Sequence, residues 1–269
     1  PYDPKKVFRS CIRAGASREE AEDILREVNG ILYDGITTGE IYTRVEEALG
    51  NLDNVKASKY RLKDALMRLG PAGFSFETYI AKVLERYGYE TRVRTLMKGR
   101  CAIHEVDIIA YEIRRSPIIK YMIECKYHNH HGIYTGLKEA MYTHARFLDL
   151  KNGFELDLCE RFDGAWLITN TKFSLEAVEY AKCTGMTLLG WSYPSDTSLQ
   201  RMIECRDLYP ITILKNIHAD EVHRFFRMDL VTLNDIAKRS LKELHRVTGI
   251  SEDRLSKIKA EAEKIAGNP

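Results

Sequence analysis

Residues 104–128 contain two apolar stretches that are interrupted by charged side chains. No other feature of the sequence constrains the possible folds of the chain more strongly. The stretches HEVDIIAYEI and IIKYMIECKY are rich in β-branched and aromatic residues, which is typical of strands. Because side chains alternate faces along a strand, Glu124 and Lys126 share one face of the second stretch, and Asp107 lies within the first. Charges in a core strand are costly unless something pairs with them.

If the two strands are neighbours, Asp107 can lie opposite Glu124. Two close carboxylates repel each other unless a cation lies between them. Mg²⁺ prefers carboxylate ligands and keeps several waters, and Lys126 could reach a metal-bound water or a phosphate oxygen. These residues favour metal-assisted phosphodiester hydrolysis. The alternative is a structural salt bridge from Glu124 to Lys126 or to a nearby arginine at a half-exposed strand end.

The order of helical and strand patterns divides the 269 residues into three predicted domains. Residues 1–69 read as helices with Asp3, Ser17 and either Thr37 or Thr38 as N-caps. Residues 70–200 read as α-β-β-β-α-β-α-β, which predicts an α/β fold with a mixed sheet: an antiparallel meander followed by parallel strands. Residues 201–269 read as short helices.

Composition sets the outer limits on function. The net charge is +2 and the pI is about 8.3, which is too balanced to indicate a nucleic-acid partner by itself. No apolar run approaches the roughly 18 residues of a membrane span. The six scattered cysteines form no CxxC pair and are expected to be free thiols in the cytoplasm.

The charged strand residues resemble a nuclease signature. Asp107 followed by Glu124-Cys125-Lys126 resembles the D…(D/E)xK motif of the PD-(D/E)xK nuclease superfamily, in particular its Mrr-type restriction endonuclease branch and, more loosely, the archaeal Holliday-junction resolvases. Glu77 in GFSFETY matches a glutamate on the helix before the meander. The family has Pro before the Asp, where this sequence has Val106.

The resemblance covers about residues 71–195 and implies a restriction-endonuclease-like fold that acts on DNA. It implies that Asp107 and Glu124 bind Mg²⁺ (or Mn²⁺), that Lys126 is the catalytic lysine, and that Glu77 is an auxiliary metal or water ligand.

Further candidate residues follow the motif along the chain. Lys138, Tyr142 and Arg146 recur at i, i+4 and i+8 of a predicted helix, where they could contact DNA phosphates or form a solvated face. The histidines of YHNHHG are interpreted as loop residues near the phosphate path, with a second metal site as the alternative; they are His128, His130 and His131. Thr169, Asn170 and Thr171 end a strand, and Ser174 is predicted to cap the next helix; these are read as structural residues.

Residues 2–60 resemble the helical part of an ATP-cone domain, in the run AGAS…ITTGEIY. The resemblance implies binding of ATP or dATP. The β-hairpin that precedes these helices in that family is absent, and the sequence begins at Pro1, so we expect a missing N-terminal piece. The alternative is a four-helix packing module without a nucleotide.

Residues 241–265 resemble a helix-hairpin-helix around VTGIS. The turn at Gly249 and the N–H groups at the start of the next helix would suit a DNA phosphate, and Lys257, Lys259 and Lys264 add positive charge. The alternative is an ordinary helical hairpin.

Together these patterns predict a cytoplasmic, Mg²⁺-dependent DNA endonuclease that a nucleotide could regulate. Two alternatives stay open: a non-catalytic DNA-binding or regulatory module that keeps the nuclease fold, and a nucleotide-sensing regulator. A homodimer is plausible because cutting both DNA strands needs two sites. No membrane association is expected.

Overall fold

A computed structural model describes residues 2–70 and 74–267. The chain divides into two compact units, one formed by Pro1–Leu66 with Tyr209–Pro269 and the other by Met67–Leu208. The divisions lie close to the predicted boundaries at 69/70 and 200/201. The N- and C-terminal helical segments, which the sequence analysis treated as separate domains, therefore cluster in one unit.

The first unit is helical, as the sequence predicts. Asp3, Ser17 and Thr37 cap the first three helices, and Ser17 and Thr37 form full capping boxes with Glu20 and Glu40. The helices before Gly70 are α1 (Pro4–Arg13), α2 (Arg18–Gly30), α3 (Thr38–Leu52), α4 (Asn54–Tyr60) and α5 (Leu62–Met67).

The C-terminal part of the same unit is also helical. A 3₁₀ turn at Ile211–Ile213 precedes α10 (Ala219–Phe226), α11 (Leu233–Ala237), α12 (Leu241–Thr248) and α13 (Glu252–Ala266). Helix α13 packs against α11 and α12 of its own segment and against α4 of the N-terminal segment, so the two segments are in contact within this unit.

The second unit contains the mixed sheet that the sequence predicts. The five-stranded sheet has the order β1-β2-β3-β5-β7, with β1, β2 and β3 antiparallel and β3, β5 and β7 parallel. Its strands are β1 (Tyr89–Lys98), β2 (Ile103–Glu112), β3 (Ile119–Lys126), β5 (Gly164–Thr169) and β7 (Thr187–Leu189). Its helices are α6 (Phe74–Arg86), α7 (Leu137–Phe154), α8 (Leu175–Thr184) and α9 (Leu199–Cys205).

A second, small sheet was not predicted. Strands β4 (Tyr134–Thr135) and β6 (Lys172–Phe173) pair in parallel. Two-residue strands carry no periodicity, so a sequence pattern gives no signal for them.

The sheet core lies beside the charged residues. Val106, Ile109 and Met122 are buried in a cluster that includes Ala140 and Leu150 of α7. The register pairs Ile108 with Ile123, so Asp107 and Glu124 are the next residues on the two strands, where both leave this core.

No helix in the described ranges is long and apolar enough to cross a membrane.

Candidate active site

Asp107 and Glu124 face each other across β2 and β3, as the sequence predicts for neighbouring strands. Asp107 Oδ2 accepts a hydrogen bond from the backbone N–H of Cys125, at 2.8 Å. Glu124 Oε2 accepts one from Arg146 of α7, whose other Nη donates to the carbonyl oxygen of Glu105. The salt bridge that the sequence analysis kept as an alternative is thus present, with an arginine as partner.

The carboxylates nevertheless remain poorly neutralised. Burial and the neighbouring Asp107 raise the pKa of Glu124, although Arg146 and Lys126 act to lower it. Burial also raises the pKa of Asp107, against the N–H of Cys125 and the charge of Arg146. Both carboxyls therefore hold a proton more readily than in water, mainly because burial disfavours their charged forms and the nearby cations do not offset this.

Glu77, in the first turn of α6, adds a third carboxyl. Burial and the charge of Asp107 raise its pKa to about 7, and Arg94 opposes this. Its buried Oε2 lies 3.5 Å from Arg94 Nη1 and accepts no hydrogen bond of ordinary geometry from the described residues. A buried carboxylate oxygen without such a partner is costly, so this atom has capacity for a further ligand.

Arg94 occupies an unusual backbone position in β1. Its φ is +48°, and the ladder pairs Val93 with Ile108 and Thr95 with Val106 while omitting Arg94. A left-handed arginine costs about 1–2 kcal/mol. Its side chain donates to Thr78 Oγ1 at 3.1 Å, beside Glu77, so the irregular strand directs a cation toward the carboxyl cluster.

A polar cavity of about 330 Å³ lies over this cluster. Three acidic side chains, a histidine, an arginine and a tyrosine line it, together with one apolar residue. The lining residues are Glu77, Ile103, His104, Glu105, Asp107, Tyr142 and Arg146. Lys126 is exposed at the end of β3, so its ammonium group is accessible to a substrate.

Comparison with known proteins places the chain in a family. Residues 71–191 match the family model described as restriction endonuclease, of the Mrr catalytic type, and residues 209–266 match the one described as AF1548-like, C-terminal. Over 189 residues the chain is 41% identical to an uncharacterized protein of Archaeoglobus fulgidus; the match covers 70% of this chain and all of that protein. The chain belongs to the AF1548-like family.

A solved structure supports the same assignment. The chain superposes on the crystal structure of AF1548, a protein of unknown function, with a TM-score of 0.62 at 39% identity, covering 73% of this chain and 99% of that one. The match of residues 71–191 to the restriction endonuclease family model, together with the five-stranded mixed sheet, confirms the predicted restriction-endonuclease-like fold. The ATP-cone resemblance of residues 2–60 is not supported by these matches and stays a prediction.

Restriction-endonuclease-like domains generally use divalent metals, and a hard cation needs several oxygen donors that converge on one point. Within residues 2–70 and 74–267, no three His, Cys, Asp or Glu side chains converge as a ready metal site. The chemistry of the donors still fits Mg²⁺, because the carboxylate oxygens of Glu77, Asp107 and Glu124 are hard ligands. One of them, Oε2 of Glu77, is buried without a hydrogen-bond partner among the described residues. Arg146 holds the place beside Glu124 that a cation would need.

The three α7 residues that were predicted to share one face differ in their exposure. Lys138 and Tyr142 are exposed, whereas Arg146 is only 7% exposed and is bound to Glu124. Each step of four residues turns a helix by about 40°, so eight residues turn it by about 80°. That rotation moves Arg146 from the solvent face to the sheet, so we correct its predicted place on an exposed phosphate-contacting face.

The histidines after β3 also differ in their exposure. The ring Nε2 of His128 lies 3.0 Å from the hydroxyl of Thr135, and its backbone is bonded to the side chain of Asn170. Burial and Lys126 lower the pKa of His128. His130 and His131 are exposed. His128 is thus a structural residue in a polar network, in agreement with the loop interpretation.

That network also involves the residues that end β5. Thr169 is bonded to Thr135 and Thr171, and all three side chains are buried. Ser174 caps α8 by accepting from the N–H of Ala177, as predicted. These residues support the end of the sheet rather than the cavity.

The C-terminal hairpin has the predicted backbone but different electrostatics. Gly249 adopts φ +67° and ends α12. The first turn of α13 carries Glu252 and Asp253, which disfavour an approaching phosphate. Lys259 donates to the carbonyls of residues 236, 237 and 239, so we correct its expected phosphate role to one of capping α11. Lys257 and Lys264 are exposed, and their DNA contacts remain predictions.

Residues that sequence reasoning missed line the cavity or support it. Arg94 gave no signal, because no motif marks a left-handed arginine in a strand. His104 opens the HEVDIIA strand three residues before Asp107 and bonds to Asp149 of α7. Its place beside the motif was a usable signal, but its partner lies 45 residues away in sequence.

Proposed function

We propose that this AF1548-like chain is a divalent-metal-dependent DNA endonuclease, with Mg²⁺ or Mn²⁺ as cofactor. One observation carries the proposal: Asp107 and Glu124 leave the core on adjacent strands beside Glu77, and burial raises the pKa of all three, with the charge of Asp107 adding to the rise at Glu77 and Glu124. Perturbed carboxyls in a polar cavity are typical of catalytic sites.

Each residue has a distinct role in this proposal. Asp107, Glu124 and Glu77 hold the metal, which supplies a more acidic water and neutralises charge that develops on the phosphate. Lys126, exposed at the strand end, stabilises the pentavalent phosphorus electrostatically. Lys138 and Tyr142 bind DNA from the exposed face of α7 and place the scissile bond. Gly249 and Lys257 of the C-terminal hairpin bind DNA phosphates as positioning contacts.

Plasmid cleavage tests this proposal. Supercoiled plasmid is incubated with MgCl₂ or MnCl₂ and with wild type, Lys126→Ala, or Lys182→Ala, a matched exposed lysine on α8. We expect metal-dependent nicking by wild type and Lys182→Ala and its loss in Lys126→Ala. Equal cleavage by Lys126→Ala would contradict the assigned role of the lysine.

A second candidate is a DNA-binding module that keeps the nuclease fold without catalysis. The ion pair between Arg146 and Glu124 favours it, because that pair neutralises a carboxylate without a metal. This candidate predicts that fluorescently labelled duplex or branched DNA is bound but never cut, with or without Mn²⁺.

Regulation and assembly extend the proposal. If the ATP-cone resemblance of residues 2–60 reflects function, ATP or dATP changes the cleavage rate. If the enzyme is a homodimer, one binding event linearises plasmid, and sedimentation gives twice the mass of one chain. A nucleotide-independent rate and a monomeric mass would limit the proposal to a single-site nuclease.

A further inference from the structure

His104 is the cavity-lining side chain to which the nuclease motif gives no role. It lies on the wall that also includes Glu77 and Asp107. Its Nε2 is 2.7 Å from Asp149 Oδ2, and each of the two side chains is 15% exposed. Its Nδ1 has no hydrogen-bond partner among the residues that the structure describes.

Asp149 is held so that it can orient this ring. Its carboxylate accepts the backbone N–H groups of Cys101 and Ala102, at 2.8 and 3.1 Å. Burial raises the pKa of Asp149, but hydrogen bonds from His104 and the two N–H groups outweigh it and lower the pKa to about 2. An anionic acceptor keeps the imidazole proton on Nε2 and leaves the lone pair on Nδ1.

Two glycines, Gly99 and Gly153, let the turn between β1 and β2 come close to α7 beside this pair. A Cβ at Gly99 would lie 2.1 Å from Asp149 Oδ2, and a Cβ at Gly153 would lie 2.9 Å from the Cα of Gly99. Neither position can hold a side chain without a shift of the turn or the carboxylate. The turn between β1 and β2 is therefore fixed on α7, with the His104–Asp149 pair at the contact.

We propose that His104, oriented by Asp149, accepts the proton of the water that attacks phosphorus; this rests on the proposed nuclease function. The water oxygen forms the new P–O bond while its proton passes to Nδ1. The bond from phosphorus to the leaving sugar oxygen breaks, and that oxygen takes a proton from solvent water. The imidazolium then returns its proton to solvent.

Four of the other groups around the cavity are less suited to this step. Arg146 has no lone pair, and Tyr142 is a donor at neutral pH. Glu77 and Asp107 are assigned to the metal. The charged and titratable side chains that face His104 are these four together with Glu105 and, from α7, Asp149. The His104 imidazole offers a ring nitrogen, Nδ1, that accepts no hydrogen bond from the described residues and is not assigned to the metal.

Steady-state kinetics across pH tests the proposal with three variants. His104→Gln removes the acceptor, and Asp149→Asn keeps the imidazole but removes the anion. His144→Gln is the matched control, because His144 is a half-buried α7 histidine with its Nδ1 2.8 Å from the hydroxyl of Tyr180. We expect kcat to fall about 10²-fold in His104→Gln, within the range for general-base catalysis.

The pH profile separates catalysis from a structural clamp. In wild type the acid limb of kcat/KM reports His104; it disappears in His104→Gln, moves to lower pH in Asp149→Asn, and is unchanged in His144→Gln. We expect a ¹⁵N spectrum of wild type to show the Nε2–H tautomer of His104. An unchanged limb in His104→Gln, or an Nδ1–H tautomer, overturns the proposal. Absence of any cleavage by wild type defeats the nuclease function itself, and this step with it.

Should His104→Gln fail to fold, the wild-type tautomer and the Asp149→Asn profile decide the question. Thermal unfolding of all variants identifies that case.

Discussion

Two arginine–glutamate pairs, one in each unit, differ in the direction of the pKa shift of the glutamate. In the helical unit, Arg254 binds both oxygens of Glu221, at 2.6 and 2.8 Å. The hydrogen bond from Arg254 and the N–H of His218 lower the pKa of Glu221 although its burial opposes them. In the nuclease-like unit, Arg146 pairs with Glu124, yet burial and Asp107 raise the pKa of that carboxyl.

The difference lies in how many acids each arginine must neutralise. Glu221 accepts a bidentate arginine and a helix N-terminal amide, which is a fully satisfied carboxylate. Glu124 shares Arg146 with a backbone carbonyl and lies near Asp107 and Glu77. A fold that keeps three poorly neutralised carboxyls together sacrifices stability there, which is typical of a functional site.

The largest predicted effect is on catalysis. Asp107→Asn removes a proposed metal ligand and its charge, so we expect the rate of metal-dependent plasmid cleavage to fall about 10²–10³-fold, the effect of removing one electrostatic catalytic group. Asp157→Asn, at an exposed left-handed position after α7, is the control and should cleave at the wild-type rate. A less than fivefold loss in Asp107→Asn would remove Asp107 from the catalytic set.

The structural pair is expected to matter for stability alone. Arg254→Met leaves the buried Glu221 without its partner, so the free energy of unfolding should fall by about 3 kcal/mol, as for other broken buried pairs. Urea unfolding measures this loss, and the cleavage rate of the folded variant should be unchanged. A loss below about 1 kcal/mol would show that Arg254 behaves as a surface ion pair.

Glu77 makes the folding stability depend on pH with the opposite sign to that of a paired carboxylate. Its folded-state pKa of about 7 exceeds the value of an exposed glutamate, so the folded state binds more protons between pH 4.5 and 7. Glu77 therefore lowers stability as pH rises through that window and has no such effect below it.

Glu77→Gln should stabilise the metal-free protein by about 1–2 kcal/mol at pH 8, given about 1.4 kcal/mol per pKa unit reduced by solvent screening, and by little at pH 4.5. Urea unfolding in EDTA at the two pH values measures the difference. Equal stabilisation at both would contradict the raised pKa.

Arg146 is predicted to compete with the metal. Arg146→Met removes the cation beside Glu124, so Mn²⁺ should bind about tenfold more tightly, a gain of about 1.4 kcal/mol. Calorimetric titration measures both constants, and Arg254→Met serves as a matched loss of a paired arginine that leaves Mn²⁺ affinity unchanged. Weaker binding in Arg146→Met would mean that the arginine positions Glu124 for the metal.

Much of this fold could be predicted from the sequence because its signals are local. The caps at Ser17 and Thr37 and the alternation in β2 and β3 depend on residues within a few positions of one another. The pairing of Asp107 with Glu124 was predictable because the two strands are consecutive, and consecutive strands are commonly neighbours.

The parts that could not be predicted depend on distant contacts. Arg146 shares its i+8 spacing with exposed residues, and only packing of α7 on the sheet shows that its side chain is directed inward. Asp149 reaches His104 only because Gly99 permits the approach. The clustering of Pro1–Leu66 with Tyr209–Pro269 joins segments that no local pattern connects.

Binding of Mn²⁺ by wild type and by Glu124→Gln, followed by electron paramagnetic resonance, tests most directly whether the three carboxyls form a metal site. We predict one bound Mn²⁺ per wild-type chain and none in the variant at the same metal concentrations. Equal occupancy in the two proteins, or no binding by either wild type or Arg146→Met, would contradict it.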